Sequence, residues 1–167
     1  MRRTARFLTL ATALVVVAPS APAHADGART TGASAGGTVM AFSQVSRRCD
    51  FSETDYNGPT GDGRPIGTIY SDGSTITADV EILTAKPNMR YDVRLIQLPR
   101  SSAAPCWGGD PGVAQGEVFT DPAGAARITL SDAIEPWATG AWIWITRPDA
   151  FSQNPAEFYT TDFVAQI

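Results

Sequence analysis

The chain has 167 residues with 15 glycines, 12 prolines, two cysteines, a single histidine and a formal charge of −4 at neutral pH. An acidic balance without any basic run repels polyanions, so neither nucleic acid nor an anionic lipid surface is expected as a partner. The one histidine, His24, lies in an N-terminal stretch that has its own purpose.

Arg2, Arg3 and Arg6 precede an apolar run over residues 7–18, and the stretch closes on Ala23-His24-Ala25. The run is shorter than the roughly 20 apolar residues that span a bilayer, and it has a basic head and small residues at its end. These features define a secretory signal peptide over residues 1–25, cut after Ala25. No cysteine follows the cut to carry a lipid, and residues 157–167 hold no second apolar tail, so the expected product is secreted and extracellular without membrane attachment.

Cleavage removes three arginines and the histidine, leaving ten basic residues against seventeen acidic ones, ten minus seventeen or −7. Without histidine the product cannot build a Ser-His-Asp triad, a Cys-His dyad or a His-ligated zinc or copper site. A Ser-Lys dyad would have to use Lys86, the sole lysine, which sits on a proline turn. Paired carboxylates for glycoside chemistry remain available, and Asp79 and Glu81 share a strand face, yet solvated strand faces carry the same pattern. No catalytic residue and no cofactor is assigned.

Cys49 and Cys106 are expected to pair in an oxidising compartment. Closing a loop of about 58 residues is worth about 4 kcal/mol on the chain-entropy argument.

Residues 26–37 are small and polar and make a flexible leader; the domain proper is expected over residues 38–167. Residues 38–45 form the first strand, with Met40 and Phe42 on one face and Val39, Ala41 and Val45 on the other. The 55–63 loop offers oxygen ligands in Asp55, Asn57 and Asp62, a weak calcium candidate whose spacing departs from the EF-hand, or else an ordinary turn-rich loop. The Asp72-Gly73 step joins two alternating runs into a hairpin whose second strand buries Ile76, Ala78, Val80 and Ile82. Residues 116–120 and 125–130 flank Asp121-Pro122-Ala123-Gly124 as a second hairpin. Residues 141–146 are apolar on both faces. The last run sets Tyr159, Phe163, Ala165 and Ile167 on one face.

Between these, Pro87 turns the chain and Tyr91 opens the strand over residues 91–98, which leads into a long loop carrying Cys106 and Trp107. The Pro87-to-Tyr91 spacing resembles the tyrosine corner of fibronectin type III and immunoglobulin-like sandwiches, with Ala85 where those families usually carry leucine. The resemblance implies a Tyr91 hydroxyl bonded to backbone a few residues upstream. Short strands with turn signals roughly every 8 to 12 residues, and no long helical period, say the same: a single all-β, antiparallel Greek-key β-sandwich of about seven to nine strands with one disulfide. The alanine- and arginine-rich composition also resembles small exported proteins of high-GC Gram-positive bacteria with no assigned function.

Simple up-and-down alternation puts Cys49 and Cys106 at opposite ends of such a sandwich, too far apart to bond. A strand over residues 49–52 restores them to one end, and that arrangement is expected. Among the aromatics, Trp142 and Trp144 share a face and are either buried or a flat platform for sugars. Trp107 and Trp137 fall in loops and are candidate partner contacts, with Trp107 alternatively covering the disulfide. The expected role is a non-catalytic binding or interaction module for an extracellular protein or polysaccharide. The alternative is a carbohydrate-binding protein or a carboxylate-dependent, glycoside-acting enzyme of the cell envelope.

Overall fold

A computed structural model describes residues 36–56, 58 and 60–167; the expected signal peptide, all but the end of the leader, and Asn57 lie outside the described residues. In chain order the strands are β1 (Thr38–Met40), β2 (Phe42–Ser43), β3 (Arg64–Ser71), β4 (Thr75–Leu83), β5 (Arg90–Leu98), β6 (Val113–Phe119), β7 (Ala126–Ala133), β8 (Gly140–Arg147), β9 (Glu157–Thr161) and β10 (Ala165–Gln166). They form two antiparallel sheets, a four-stranded one ordered β1-β3-β4-β7 and a six-stranded one ordered β2-β9-β8-β5-β6 with β10 also paired to β8. The fold is the all-β, two-sheet sandwich expected, tied by a Cys49–Cys106 disulfide with Cα atoms 5.6 Å apart.

Strand alternation builds the core. Ile76, Ala78, Val80 and Ile82 of β4 face Tyr91, Val93 and Leu95 of β5 and Ile143 and Ile145 of β8, all buried. The polar face of β4 is solvated and cross-linked to β7, with Glu81 accepting from Arg127 (2.6 Å) and Asp79 accepting from Thr129 (2.6 Å). The Asp72-Gly73 turn forms as expected: Gly73 takes φ +86°, and the Asp72 carboxylate accepts from the Ser74 and Thr75 amides. Three donors, the buried Tyr91 and Tyr159 and the partly buried Arg147, converge on the buried Glu157. Tyr91 Oη (2.8 Å) and Tyr159 Oη (2.6 Å) donate to its Oε1, and Arg147 Nε donates to Oε2 (2.9 Å). Tyr91 Oη also accepts from the Lys86 amide (3.2 Å), the upstream backbone bond expected of a corner tyrosine. Burial pushes the Tyr91 hydroxyl up to about 12, with the Glu157 carboxylate adding to it.

Four expectations need correction. The first strand is two strands, because the chain crosses from one sheet to the other at Ala41: β1 pairs with β3 and β2 with β9. Met40 is buried while Val39 is exposed, so the facing is right and the sheet assignment changes midway. Residues 116–120 and 125–130 are not a hairpin. The turn forms, but β6 pairs with β5 and β7 with β4, so it arches between sheets. Gly124 at φ +78° lies against the Ala85 backbone, whose amide donates to the Gly124 carbonyl (3.0 Å); a Cβ there has no space. Phe163 does not share the buried face of Tyr159 and Ala165, for the chain bends between β9 and β10 and leaves it exposed.

The fourth correction concerns the disulfide. Residues 49–52 are a tight turn, not a strand: Arg48 and Ser52 close it by a backbone bond (2.8 Å), and the single bridge there joins Arg47 to Glu53. The cysteines meet at neither end of the sandwich. Both the 46–54 turn and the 99–112 loop fold back over the outer face of the six-stranded sheet, where Cys106, Ile96, Leu98, Val113 and Trp142 form a second buried cluster. The up-and-down count fails because it allows segments to run only along the strands, and these two lie across them.

Candidate functional site

The outer face of the six-stranded sheet carries the densest chemistry of the described residues. In β5 the apolar run Val93-Arg94-Leu95-Ile96 is interrupted by Arg94, which alternation turns outward. Pairing of β5 with β8 sets Arg94 directly opposite Trp144, and Asp92 opposite Thr146. Residues facing each other across an antiparallel pair are within side-chain contact. Accordingly the Arg94 guanidinium lies over the Trp144 ring, 4.2 Å from its centroid.

The 99–112 loop supplies the other half. Asp110 accepts from the Trp107 amide (2.7 Å), Gly109 at φ +92° lets the turn close, and Gln115 of β6 accepts from the Gly108 amide (2.9 Å). The Trp107 ring then also lies against the Arg94 guanidinium, its centroid 4.6 Å away, and is itself 64% exposed. A stack continues inward from Trp144 to Trp142 (5.8 Å, 20° between planes), then to the edge of Phe51 (5.4 Å) and the guanidinium of Arg47 (4.0 Å). Phe51 holds φ +70°, a strained backbone for a bulky residue, and this conformation brings its ring to Trp142.

Arg94 is buried, and its hydrogen bonds are long: Nη1 donates to the Cys106 carbonyl (3.3 Å) and Nη2 to Thr146 Oγ1 (3.4 Å). Its Nε–H has no acceptor among the described residues, and none of their carboxylates lies within ion-pair distance of it. Burial pushes the guanidinium down to about 10, with Asp92 opposing; it stays charged at neutral pH. Beside it opens a pocket of about 520 Å³, walled by Trp107, Trp144, Tyr56 and Phe158 and carrying Asp92 and Asp149. That volume lies within the range of small-molecule sites, about 300 to 1,000 Å³. The other hollow of similar size, about 480 Å³ on the outer face of the four-stranded sheet, is lined by the satisfied Glu81–Arg127 and Asp79–Thr129 pairs.

The structure brings two of the four candidate tryptophans, Trp107 and Trp144, to this pocket. Trp142 stacks behind Trp144 and is fully buried, so the two do not form an open platform. Trp107 lies over the Arg94 guanidinium. Trp137 sits elsewhere, against Gly112 and beside Pro99 and Arg100. For calcium, Asp62 already offers its carbonyl to Arg64 and Thr84, Asp55 is exposed, and no group of three or more His, Cys, Asp or Glu among the described residues is placed to hold a metal. Arg94 was the missed residue. Its signal in the sequence was a charge inside an apolar strand, costly unless it is partnered or used.

Fold and pocket together define a disulfide-tied β-sandwich with a tryptophan-walled pocket, carrying both arginine and aspartate, on the outside of one sheet. Compared with known proteins, the chain matches no family model, no curated protein and no solved structure.

Proposed function

We propose that the chain is an exported, non-catalytic binding module of immunoglobulin-like build that takes a small ligand, free or at the tip of an extracellular partner, into the pocket beside Arg94. The observation that carries this reading is the buried, carboxylate-free Arg94 lying against both Trp107 and Trp144 at the wall of a pocket. An ordinary structural arginine has its donors satisfied, and here the best-placed acceptor is a ligand. The strand order supports the immunoglobulin-like build: β3-β4-β7 stands in the A-B-E positions, and β9-β8-β5-β6 in those of G-F-C with one added strand. The departure is Tyr91, which opens the strand in position C, where those families place their corner tyrosine in F.

Export follows from residues 1–25, and the acidic mature surface suits an extracellular protein or polysaccharide better than nucleic acid. The carbohydrate reading survives in one feature, the exposed ring of Trp107. N-bromosuccinimide oxidation tests whether the pocket is the contact surface. A small ligand in the pocket protects Trp107 and leaves Trp137 reactive. Protection of Trp137 alone by any bound polysaccharide or protein would move the contact surface out of the pocket to the hollow beside Pro99 and Arg100.

A further inference from the structure

Resting on that binding reading, we infer that the ligand is a monoanionic organic acid, one carboxylate attached to a flat apolar ring. Trp107 and Trp144 both lie against the Arg94 guanidinium, their ring centroids 4.6 and 4.2 Å from it, and what it offers an incoming group is its N–H edge. That edge is a planar fork of N–H donors whose geometry matches a carboxylate, and the stacking holds it rigid before the ligand arrives. The present acceptors, the Cys106 carbonyl at 3.3 Å and the Thr146 hydroxyl at 3.4 Å, are neutral and distant, beyond the ordinary N–H···O range of about 2.7 to 3.2 Å. A carboxylate oxygen improves on both.

The rest of the pocket limits the charge and shape. Asp92 and Asp149 stand in the same wall, and the pocket's second cation, Arg47, is already paired with Glu53 (3.4 Å), so a second negative charge placed away from Arg94 is repelled; phosphate esters and polyanions are thereby disfavoured. Asp92 pairs with Arg90 (3.3 Å) and Asp149 accepts from the Phe151 amide (2.7 Å), and neither forms an ion pair with Arg94. Trp107, Trp144, Tyr56 and Phe158 present ring surfaces, which stack best on another flat apolar body.

Calorimetric titration of the protein with 2-naphthoate, 2-naphthamide, acetate and inorganic phosphate tests this. Naphthoate should bind, and naphthamide should bind roughly 10- to 100-fold more weakly, the worth of one charge-assisted hydrogen-bonded pair. Acetate and phosphate should bind more weakly than naphthoate. In Arg94→Gln the acid should fall to the level of the amide while amide binding persists, which also shows the pocket still folded. Equal binding of acid and amide by the unaltered protein, or phosphate binding as tightly as naphthoate, overturns the ligand class and leaves the pocket standing. No heat from either ring compound overturns the pocket itself.

Discussion

Replacing Cys49 and Cys106 together by alanine asks whether the disulfide stabilises the whole domain or only fastens two loops. The bond spans 57 residues, and chain entropy alone assigns about 4 kcal/mol to a loop of that size. Most globular domains have about 5 to 15 kcal/mol in total, so the variant should fold but sit close to the edge of stability. At a urea slope of about 2 kcal/mol per M, the midpoint should fall by about 2 M. The native tryptophan emission should not move, because each flap has other anchors. The Gly108 amide is held by Gln115 (2.9 Å), and the Val45 carbonyl by Thr160 (2.7 Å). Urea denaturation followed by fluorescence and by far-ultraviolet dichroism measures both quantities. A red-shifted native emission with little change in midpoint would refute the reasoning, since it would mean that the disulfide alone keeps the flaps over Trp142.

Glu157→Gln should cost about 3 kcal/mol at neutral pH, because it leaves Arg147 facing an amide in a buried site; thermal melts give the value. Burial works to raise the Glu157 carboxyl, but donors from Tyr159, Arg147 and Tyr91 outweigh it and hold the group below its ordinary 4.5. The stability this provides is present above that value and is lost as pH falls through the lower folded one, so the unaltered protein should weaken below about pH 4.5 more steeply than the variant. Phe51→Ala should cost about 2 kcal/mol and Phe51→Gly about 1, because glycine removes the positive-φ strain along with the ring; the reverse order in chemical denaturation would show that the backbone there is unstrained. Asp79→Asn with Glu81→Gln should change stability by no more than about 0.5 kcal/mol and leave binding unaltered, and a lost activity of any kind in that variant would reopen the carboxylate-enzyme reading. N-terminal sequencing of protein from the culture medium should begin at Asp26, and material that starts at Met1 would contradict export by cleavage.

Local patterning carried the inner core into view. The alternation of Ile76, Ala78, Val80 and Ile82, and the placement of Tyr91, Val93 and Leu95, needed only the two-residue period of a strand. Partner choice was hidden where consecutive strands belong to different sheets. The turn at Asp121-Pro122-Ala123-Gly124 has ordinary hairpin chemistry, and only the competition of β5 for β6 and of β4 for β7 decides that it arches. The site was half legible. Trp107 and Trp144 stood out by type, but their union over Arg94 depends on the Arg94–Trp144 register and on a loop that folds across the sheet, neither of which is encoded in neighbouring residues.

The two sheets differ in what covers their outer faces, and this explains why the pocket lies where it does. The four-stranded sheet meets solvent with charged and hydroxyl side chains paired across strands, as a half-buried antiparallel sheet does. The six-stranded sheet instead has apolar side chains on both faces of β5 and β8, and its outer cluster of Ile96, Leu98 and Trp142 requires cover. The cover is made of two irregular segments joined by the disulfide, and irregular segments cannot tile a twisted sheet to its edges. Where the 46–54 turn, the 99–112 loop and the 148–155 connection fail to meet, a gap remains over Trp144 and Arg94. A purely structural gap would be lined by apolar groups, since an arginine buried without a carboxylate lowers stability. Arg94 at that point, against two tryptophan rings and without a carboxylate, is therefore the feature on which the proposed binding rests.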